Sequence, residues 1–198
     1  MTIVVLVVLF ARSTLAATPE EEQRAWRIWL EPKAMRPAVM QTVPGAQRTV
    51  FTAGKLSGQE LTAFSKTEFS ALQLDWAQLT AKVQANAASD LASLEPRYVR
   101  NRKKVIEYAE LSSTRPIVAS AVLAPGFLAR FQETLGETVL LVVPSRYTAY
   151  VFPRLASNYQ DYYPLIFEAY RATAFPVSVE VFEVSATGLR AVGVYSEP

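Results

Sequence analysis

The chain of 198 residues is 51% hydrophobic and 19% charged, and its net charge is +2. This length suits one ordinary domain with a buried core, and the composition excludes a disordered chain. The absence of cysteine and histidine excludes disulfides, thiolate metal sites, cysteine nucleophiles and catalysis by a Ser-His-Asp triad. The small net charge argues against nucleic acid as a partner.

Residues 1–16 have the pattern of a secretory signal peptide. Ile3–Phe10 is an apolar run that is too short to span a bilayer, and Thr14 and Ala16 have the spacing for cleavage after Ala16. However, no basic residue precedes the run, and its β-branched residues also suit a buried strand. We predict a periplasmic or secreted protein, with a cytoplasmic protein as the alternative.

Mass spectrometry of the exported protein tests the predicted leader. We expect a mature chain that begins at Ala17, because signal peptidase cleaves after a small residue. An exported chain that retains Met1 would contradict the prediction.

Residues 18–47 are predicted to form a helix followed by an extended connector. Thr18 and Glu21 have the spacing of a capping box, which marks a helix start. Two tryptophans follow three residues apart, on what would be one helical face, and Pro32 ends the pattern.

The predicted core, residues 48–198, begins with two short strands and two helices. The strand candidates are residues 48–53 and 60–66, with a glycine-containing turn between them. Ser65 and Asp75 each begin a further capping box, which predicts a short helix followed by a longer one.

The only basic cluster, Arg97–Lys104, has five cations in eight residues. We interpret it as a solvated helix end or loop; contact with a phosphate or an acidic partner is the alternative.

From Val105 onward the pattern predicts the order β-β-α-β-β-α-β-β. The strands are residues 105–111, 116–123, 138–144, 147–153, 177–184 and 189–195, and the helices are residues 125–136 and 157–175. Helices separated by β-hairpins predict an α+β fold, with helices packed on one face of a mainly antiparallel sheet. We predict a single domain, residues 17–198.

Four segments from about Val50 onward resemble the uncharacterised bacterial YtpQ-like family in their order and spacing. They are TEFSALQLDWAQLTAKVQANAASDL, IVASAVLAPGFLARF, VVPSRYTAYVF and AFPVSVEVFEVSATG. The resemblance implies a shared fold but no reaction, because the family has no established activity. The sequence departs from the family at Tyr147, where an acid commonly follows Pro-x-Arg, so the resemblance implies no Arg–acid function.

The candidate binding residues lie at the end of the most apolar strand and in the helix that follows it. Ser145, Arg146 and Tyr147 stand at a strand end, where a rigid backbone presents polar groups. Arg146 could bind a carboxylate or phosphate bidentately; the other interpretation is a hairpin corner, with Arg146 in solvent or paired with a glutamate. Tyr163 and Arg171 are the candidates from the helix.

Catalytic candidates are restricted to carboxylates and serines. Two pairs of glutamates have a spacing of three: Glu107 with Glu110, and Glu180 with Glu183. Paired acids can hydrolyse glycosides, but this spacing places strand residues on opposite faces, so a solvated strand surface is the simpler interpretation. Ser120 and Ser178 lie in apolar strands, where we expect their hydroxyls to bond to backbone.

These observations favour a binding module for a peptide, a protein partner or a small anion. We expect no cofactor, no metal and no membrane span in the mature chain. The alternatives are a hydrolase that uses carboxylates or serine, and an assembly protein that self-associates through edge strands such as the C-terminal hairpin.

Overall fold

The computed structural model describes residues 18–156 and 159–195, so the predicted leader and its cleavage site lie outside the described residues. Within these residues ten strands form two sheets. The strands are β1 (Trp26–Pro32), β2 (Met40–Thr42), β3 (Thr49–Ser57), β4 (Glu60–Ala63), β5 (Arg97–Arg100), β6 (Ile106–Ser112), β7 (Val139–Ser145), β8 (Thr148–Pro153), β9 (Glu180–Ser185) and β10 (Gly188–Val194). The helices are α1 (Pro19–Ala25), α2 (Lys66–Ala71), α3 (Trp76–Ala92), α4 (Val118–Ala121), α5 (Phe127–Leu135) and α6 (Tyr163–Arg171), and 3-10 turns cover Lys33–Met35 and Tyr159–Tyr162.

The small sheet is built around β3, which is long enough to pair with three other strands. β1 runs antiparallel along one side of β3, with Trp29 opposite Thr52. β2 and β4 pair with successive halves of its other side. Trp29 and Leu30 are fully buried in β1, so the small sheet is part of the hydrophobic core.

The large sheet has the strand order β10-β9-β7-β8-β6-β5, and every neighbouring pair is antiparallel. β7 lies inside this sheet and is buried along its whole length, as its uninterrupted apolar sequence predicts. Its residues alternate between two cores: Leu141 faces the small sheet and α5, whereas Leu140 and Val142 face α6. Helices therefore cover both faces of the large sheet.

The prediction of an α+β fold with mainly antiparallel pairing is confirmed. The three predicted capping boxes, at Thr18, Ser65 and Asp75, are all present. The predicted strands around β3, β4 and β6 to β10 are also present, as are the helices around α2, α3, α5 and α6. The sheet architecture differs from the prediction, because two sheets replace one and α6 packs on the face opposite the other helices.

The predicted first helix is correct only at its start. α1 ends at Ala25, and the following residues, Trp26–Pro32, form β1. The bulky and β-branched residues of this stretch suit a strand, and β1 is buried on both faces, so no alternation of polar residues marks it. A spacing of three between the tryptophans therefore misled the helix prediction.

The predicted strand at residues 116–123 is wrong, because Val118–Ala121 form the short helix α4. An apolar run this short, bounded by prolines, suits a buried helical turn as well as a strand.

The interpretation of the basic cluster Arg97–Lys104 as a helix end or loop is wrong in part. Its first residues form β5, the edge of the large sheet, where Arg97 forms an ion pair with Glu110. Cations on an edge strand discourage pairing with other chains.

No helix among the described residues is both long and apolar enough to cross a membrane.

Candidate functional site

Arg146, the principal candidate from the sequence, is held inside the structure by the small sheet. Its Nε and Nη2 donate to the two carboxylate oxygens of Glu31 on β1, at 3.2 and 2.9 Å. Its Nη1 donates to the carbonyl oxygen of Leu61 on β4 at 3.0 Å. The side chains of Arg146 and Glu31 are 13% and 6% exposed. The pair is therefore a buried bidentate link between the two sheets.

Two aromatic rings and the neighbouring backbone complete this corner. The guanidinium carbon of Arg146 lies 5.7 Å from the centre of the Trp29 ring and 5.1 Å from that of Phe175. The Trp29 indole also donates to Glu31, at 2.7 Å. Ser145 is buried and its hydroxyl accepts from the Tyr147 amide at 3.1 Å. The turn thus has the contacts of a structural corner, one of the two interpretations that the sequence left open.

Tyr163 and Arg171 lie at opposite ends of α6, which packs on the face of the large sheet opposite the one that Trp29 and α5 cover. The ring of Tyr163 packs against Phe167 with 4.3 Å between centres, and the guanidinium carbon of Arg171 lies 5.3 Å from the centre of the same Phe167 ring. These two residues share one aromatic neighbour but do not join Ser145, Arg146 and Tyr147 in a common site.

A basic groove lies between α6 and the segments on either side of β2, and we define it by three cations: Lys33, Arg36 and Arg48. Its volume is about 590 Å³, and no acidic side chain is among the described residues that line it. All three cations are exposed, and none of them forms an ion pair within the described part of the chain. Clustered, uncompensated cations create a positive potential that attracts anions.

The 3-10 turn at Lys33–Met35 sets the positions of two of these cations. The Lys33 amide donates to the Arg48 carbonyl at 2.7 Å, and the Arg36 amide donates to the Lys33 carbonyl at 3.0 Å. Arg36 ends the turn with φ of 48°, in the left-handed region. Such a backbone costs free energy for a residue other than glycine and clusters at functional positions.

The opposite wall of the basic groove is apolar. α6 contributes Phe167 and Tyr170, and the segment before β9 contributes Val177 and Val179. The groove therefore offers an aromatic and aliphatic surface next to three cations, the combination that suits an anion with an apolar body.

A buried carboxylate lies beneath the groove. Glu180 is only 4% exposed, and it accepts from the amides of Gln47 at 2.8 Å and Arg48 at 3.2 Å. It also accepts from the Thr49 hydroxyl at 2.6 Å. The Thr49 hydroxyl is itself 2.7 Å from that of Ser178, whose oxygen accepts from the Glu180 amide at 3.0 Å. This network, which we call the Glu180 latch, fastens β3 to β9.

A second cavity of about 360 Å³ lies on the other side of Arg48. It is lined by Gly45, Gln47, Arg48 and Glu180 and by the β10 residues around Val192. Arg48 and Gln47 line both cavities, so Arg48 stands between them.

The catalytic candidates are dispersed. Glu183 accepts from Arg190 and Arg154, and these hydrogen bonds lower the pKa of its carboxyl. Glu180 and Glu183 are both buried, so their interpretation as a solvated surface is wrong. Glu110 pairs with Arg97. Burial, together with a hydrogen bond to Glu107, raises the pKa of Tyr162 to about 12.

The buried serines differ from each other. Ser178 bonds to backbone as expected, through its contact with the Glu180 amide. The Ser120 hydroxyl lies in α4 and has no hydrogen-bond partner among the described residues, so its expected backbone bond is absent. Within the same residues, no group of three acidic side chains is placed to hold a metal ion.

Sequence reasoning missed the basic groove, because Lys33 and Arg36 lie in the segment interpreted as a connector and Arg48 begins a predicted strand. One signal was present in the sequence. No acidic residue occurs between Glu31 and Glu60, whereas Lys33, Arg36 and Arg48 all fall in that interval. Their convergence with α6 depends on contacts between residues more than a hundred positions apart, which the pattern does not show.

Comparison of the chain with family models, with curated proteins and with solved structures gives no match. The resemblance to the YtpQ-like family stays a prediction, and the function is argued from the geometry of the groove.

Proposed function

We propose that the protein is a binding module for a small anion with an apolar body, and that the ligand occupies the basic groove. The observation that carries this proposal is the set of three exposed cations, Lys33, Arg36 and Arg48, in a groove with no acidic lining residue. This proposal narrows the prediction of a peptide, protein or small-anion ligand to the last of these.

Cations without a carboxylate partner favour an anionic ligand in the basic groove. Six other arginines of the described residues have a carboxylate partner, as Arg27 does with Asp90 and Arg154 with Glu183. The three cations of the basic groove line one cavity and have no such partner among the described residues. A carboxylate or phosphate would relieve their mutual repulsion and accept charge-assisted hydrogen bonds, each worth about 1.5–3 kcal/mol.

The volume and the aromatic wall of the groove favour a ligand with an apolar body. A groove of about 590 Å³ falls within the usual size range of small-molecule sites. Phe167 is already contacted by Tyr163 and Arg171, so its ring is held in place and loses little freedom when a ligand packs against it. Covering this wall with a ligand ring would add hydrophobic stabilisation.

Titration with phenyl phosphate tests the proposal, with inorganic phosphate and benzyl alcohol as the two part-ligands. We expect phenyl phosphate to bind more tightly than either, because it combines charge with a ring. The double variant Arg36→Gln, Arg48→Gln should weaken its binding by about tenfold or more, since it removes two charge-assisted contacts. Isothermal titration calorimetry or NMR shift perturbation measures the affinities.

The matched control is the double variant Arg102→Gln, Lys103→Gln, which removes two exposed cations of the basic cluster, far from the groove in the sequence and in the turn between β5 and β6. It should leave the affinity for phenyl phosphate unchanged. Equal weakening by both variants would mean that only net charge matters, and absence of binding at millimolar phenyl phosphate would contradict the proposal.

We also propose, on the leader-like sequence of residues 1–16 alone, that the protein works outside the cytoplasm. The mass-spectrometric test of a mature chain that begins at Ala17 applies to this part of the proposal.

A further inference from the structure

We infer that Glu180 is a positioning residue for the basic groove, which it serves by fixing the backbone from which Arg48 projects. This inference rests on the proposed function. It assigns a role to a buried carboxylate that does not itself line the basic groove.

Both the amide and the carbonyl of Arg48 form hydrogen bonds. Its amide donates to Glu180, at 3.2 Å from Oε1 and 3.3 Å from Oε2. Its carbonyl accepts from the Lys33 amide at 2.7 Å. With both polar groups of the residue engaged, the Cα–Cβ direction of Arg48 is set, and the side chain extends along the wall shared by the two cavities. The same contacts tie Lys33 to Arg48, so two of the three groove cations share one support.

The carboxylate is in turn held in one orientation by the rest of the Glu180 latch. Thr49 donates to Oε2 while the Gln47 amide donates to Oε1. Ser178 bonds to both the Thr49 hydroxyl and the Glu180 amide. Each carboxylate oxygen therefore has a fixed partner on β3 or on the segment before it, and the side chain cannot rotate without breaking several bonds at once.

The chemistry of the donors explains why a carboxylate is required at this position. Gln47 and Arg48 present successive amide N–H groups, and Thr49 presents a hydroxyl, so three donors converge on one side chain. A carboxylate is acceptor-only and satisfies all of them, whereas the amide of glutamine would turn an NH₂ group toward one of these donors. Burying a charge is unfavourable unless it is hydrogen-bonded in this way.

A double-mutant cycle between Glu180→Gln and Arg48→Gln tests the inference, with phenyl phosphate as the probe. We expect Glu180→Gln to weaken binding by about fivefold in the wild-type background and by less than about twofold when Arg48 is already replaced. Calorimetry is carried out well below the melting temperature of every variant, so that loss of folded protein does not imitate loss of affinity.

Thr49→Val is the matched control, because Thr49 does not line the groove and the change removes one hydroxyl of the latch but leaves the carboxylate and its backbone donors in place. It should lower the melting temperature without changing the affinity. If Glu180→Gln also changes only the melting temperature, the role of Glu180 is structural and the inference is wrong. If Glu180→Gln weakens binding equally in the wild-type and Arg48→Gln backgrounds, the inference is also wrong, since Glu180 would then act independently of Arg48.

If Glu180→Gln does not fold, Glu180→Asp replaces it in the cycle, because it keeps the charge but is too short to reach all three donors; the same coupling to Arg48 is expected. If the wild-type protein binds no phenyl phosphate, the proposed function fails and this inference fails with it, whereas normal wild-type binding without coupling to Arg48 overturns the inference alone.

Discussion

Replacing Arg146 with methionine is expected to destabilise the fold by about 3–5 kcal/mol, because Glu31 would be left as a buried charge without its partner. The Arg146 guanidinium makes both of its carboxylate contacts to Glu31, and the Glu31 side chain is only 6% exposed. Urea denaturation followed by tryptophan fluorescence measures the change. A role for Arg146 in ligand binding alone would leave the stability unchanged.

Two comparisons make this prediction specific. Arg154→Met also removes an arginine near the end of a β-strand of the large sheet, but Arg154 is 53% exposed and Glu183 keeps its bond to Arg190. We expect a loss of less than about 1 kcal/mol for that variant. Adding Glu31→Gln to Arg146→Met should recover part of the stability, because the buried charge is then gone and the Trp29 indole keeps an acceptor. A loss below about 1 kcal/mol for Arg146→Met itself would contradict the structural role.

The second large effect is expected for Gly54→Ala, which should destabilise the protein by about 3 kcal/mol or more. Gly54 lies in the middle of β3, where β1 pairs on one side and β4 on the other. A Cβ atom at this position would lie 1.9 Å from the carbonyl oxygen of Thr62 and 2.7 Å from the Cα of Ala63. Because both are backbone atoms of β4, no side-chain rotation relieves the overlap.

Gly126→Ala provides the control for Gly54→Ala. Gly126 stands at the start of α5 with φ of −87°, and a Cβ there would meet nothing within 4 Å. We expect the free energy of unfolding of the Gly126→Ala protein to stay within about 1 kcal/mol of the wild-type value. Thermal denaturation of both variants measures the difference, and a Gly54→Ala protein with the wild-type melting temperature would show that β3 and β4 do not approach so closely.

Gly54 also illustrates what sequence patterns leave open. The sequence predicts a turn at residues 54–59, which include this glycine, but β3 continues through it to Ser57. A glycine inside a strand can serve close approach of a neighbouring backbone instead of a turn. Only the pairing with β4 distinguishes the two uses, and that pairing is a tertiary contact.

The structural features predicted best from the sequence are those set by residues close together in the chain. The capping boxes at Ser65 and Asp75 depend on side chains three residues apart, and they place the starts of α2 and α3 correctly. The strands β7 and β8 were found because their apolar residues and the turn between them are continuous in sequence. β1 was missed because burial on both faces removes the alternation that identifies a strand.

The candidate site was harder to predict because its partners are remote in sequence. Arg146 was recognised as the residue to examine, but Glu31 is 115 positions away. Gln47 and Glu180, which join in the latch beneath the basic groove, are 133 positions apart. No periodicity or motif connects residues at such distances. The sequence therefore indicates candidate residues but not which of them are in contact in the fold.

The separation of Glu31 from Arg146 also has a consequence for how the chain folds during synthesis. β1 leaves the ribosome long before the turn between β7 and β8, with 115 residues between the two partners of the ion pair. At roughly 10 residues per second, this interval lasts on the order of 10 s. Until that turn emerges Glu31 has no arginine to pair with, so a chaperone that binds nascent apolar segments has this interval in which to bind the chain before the two sheets join.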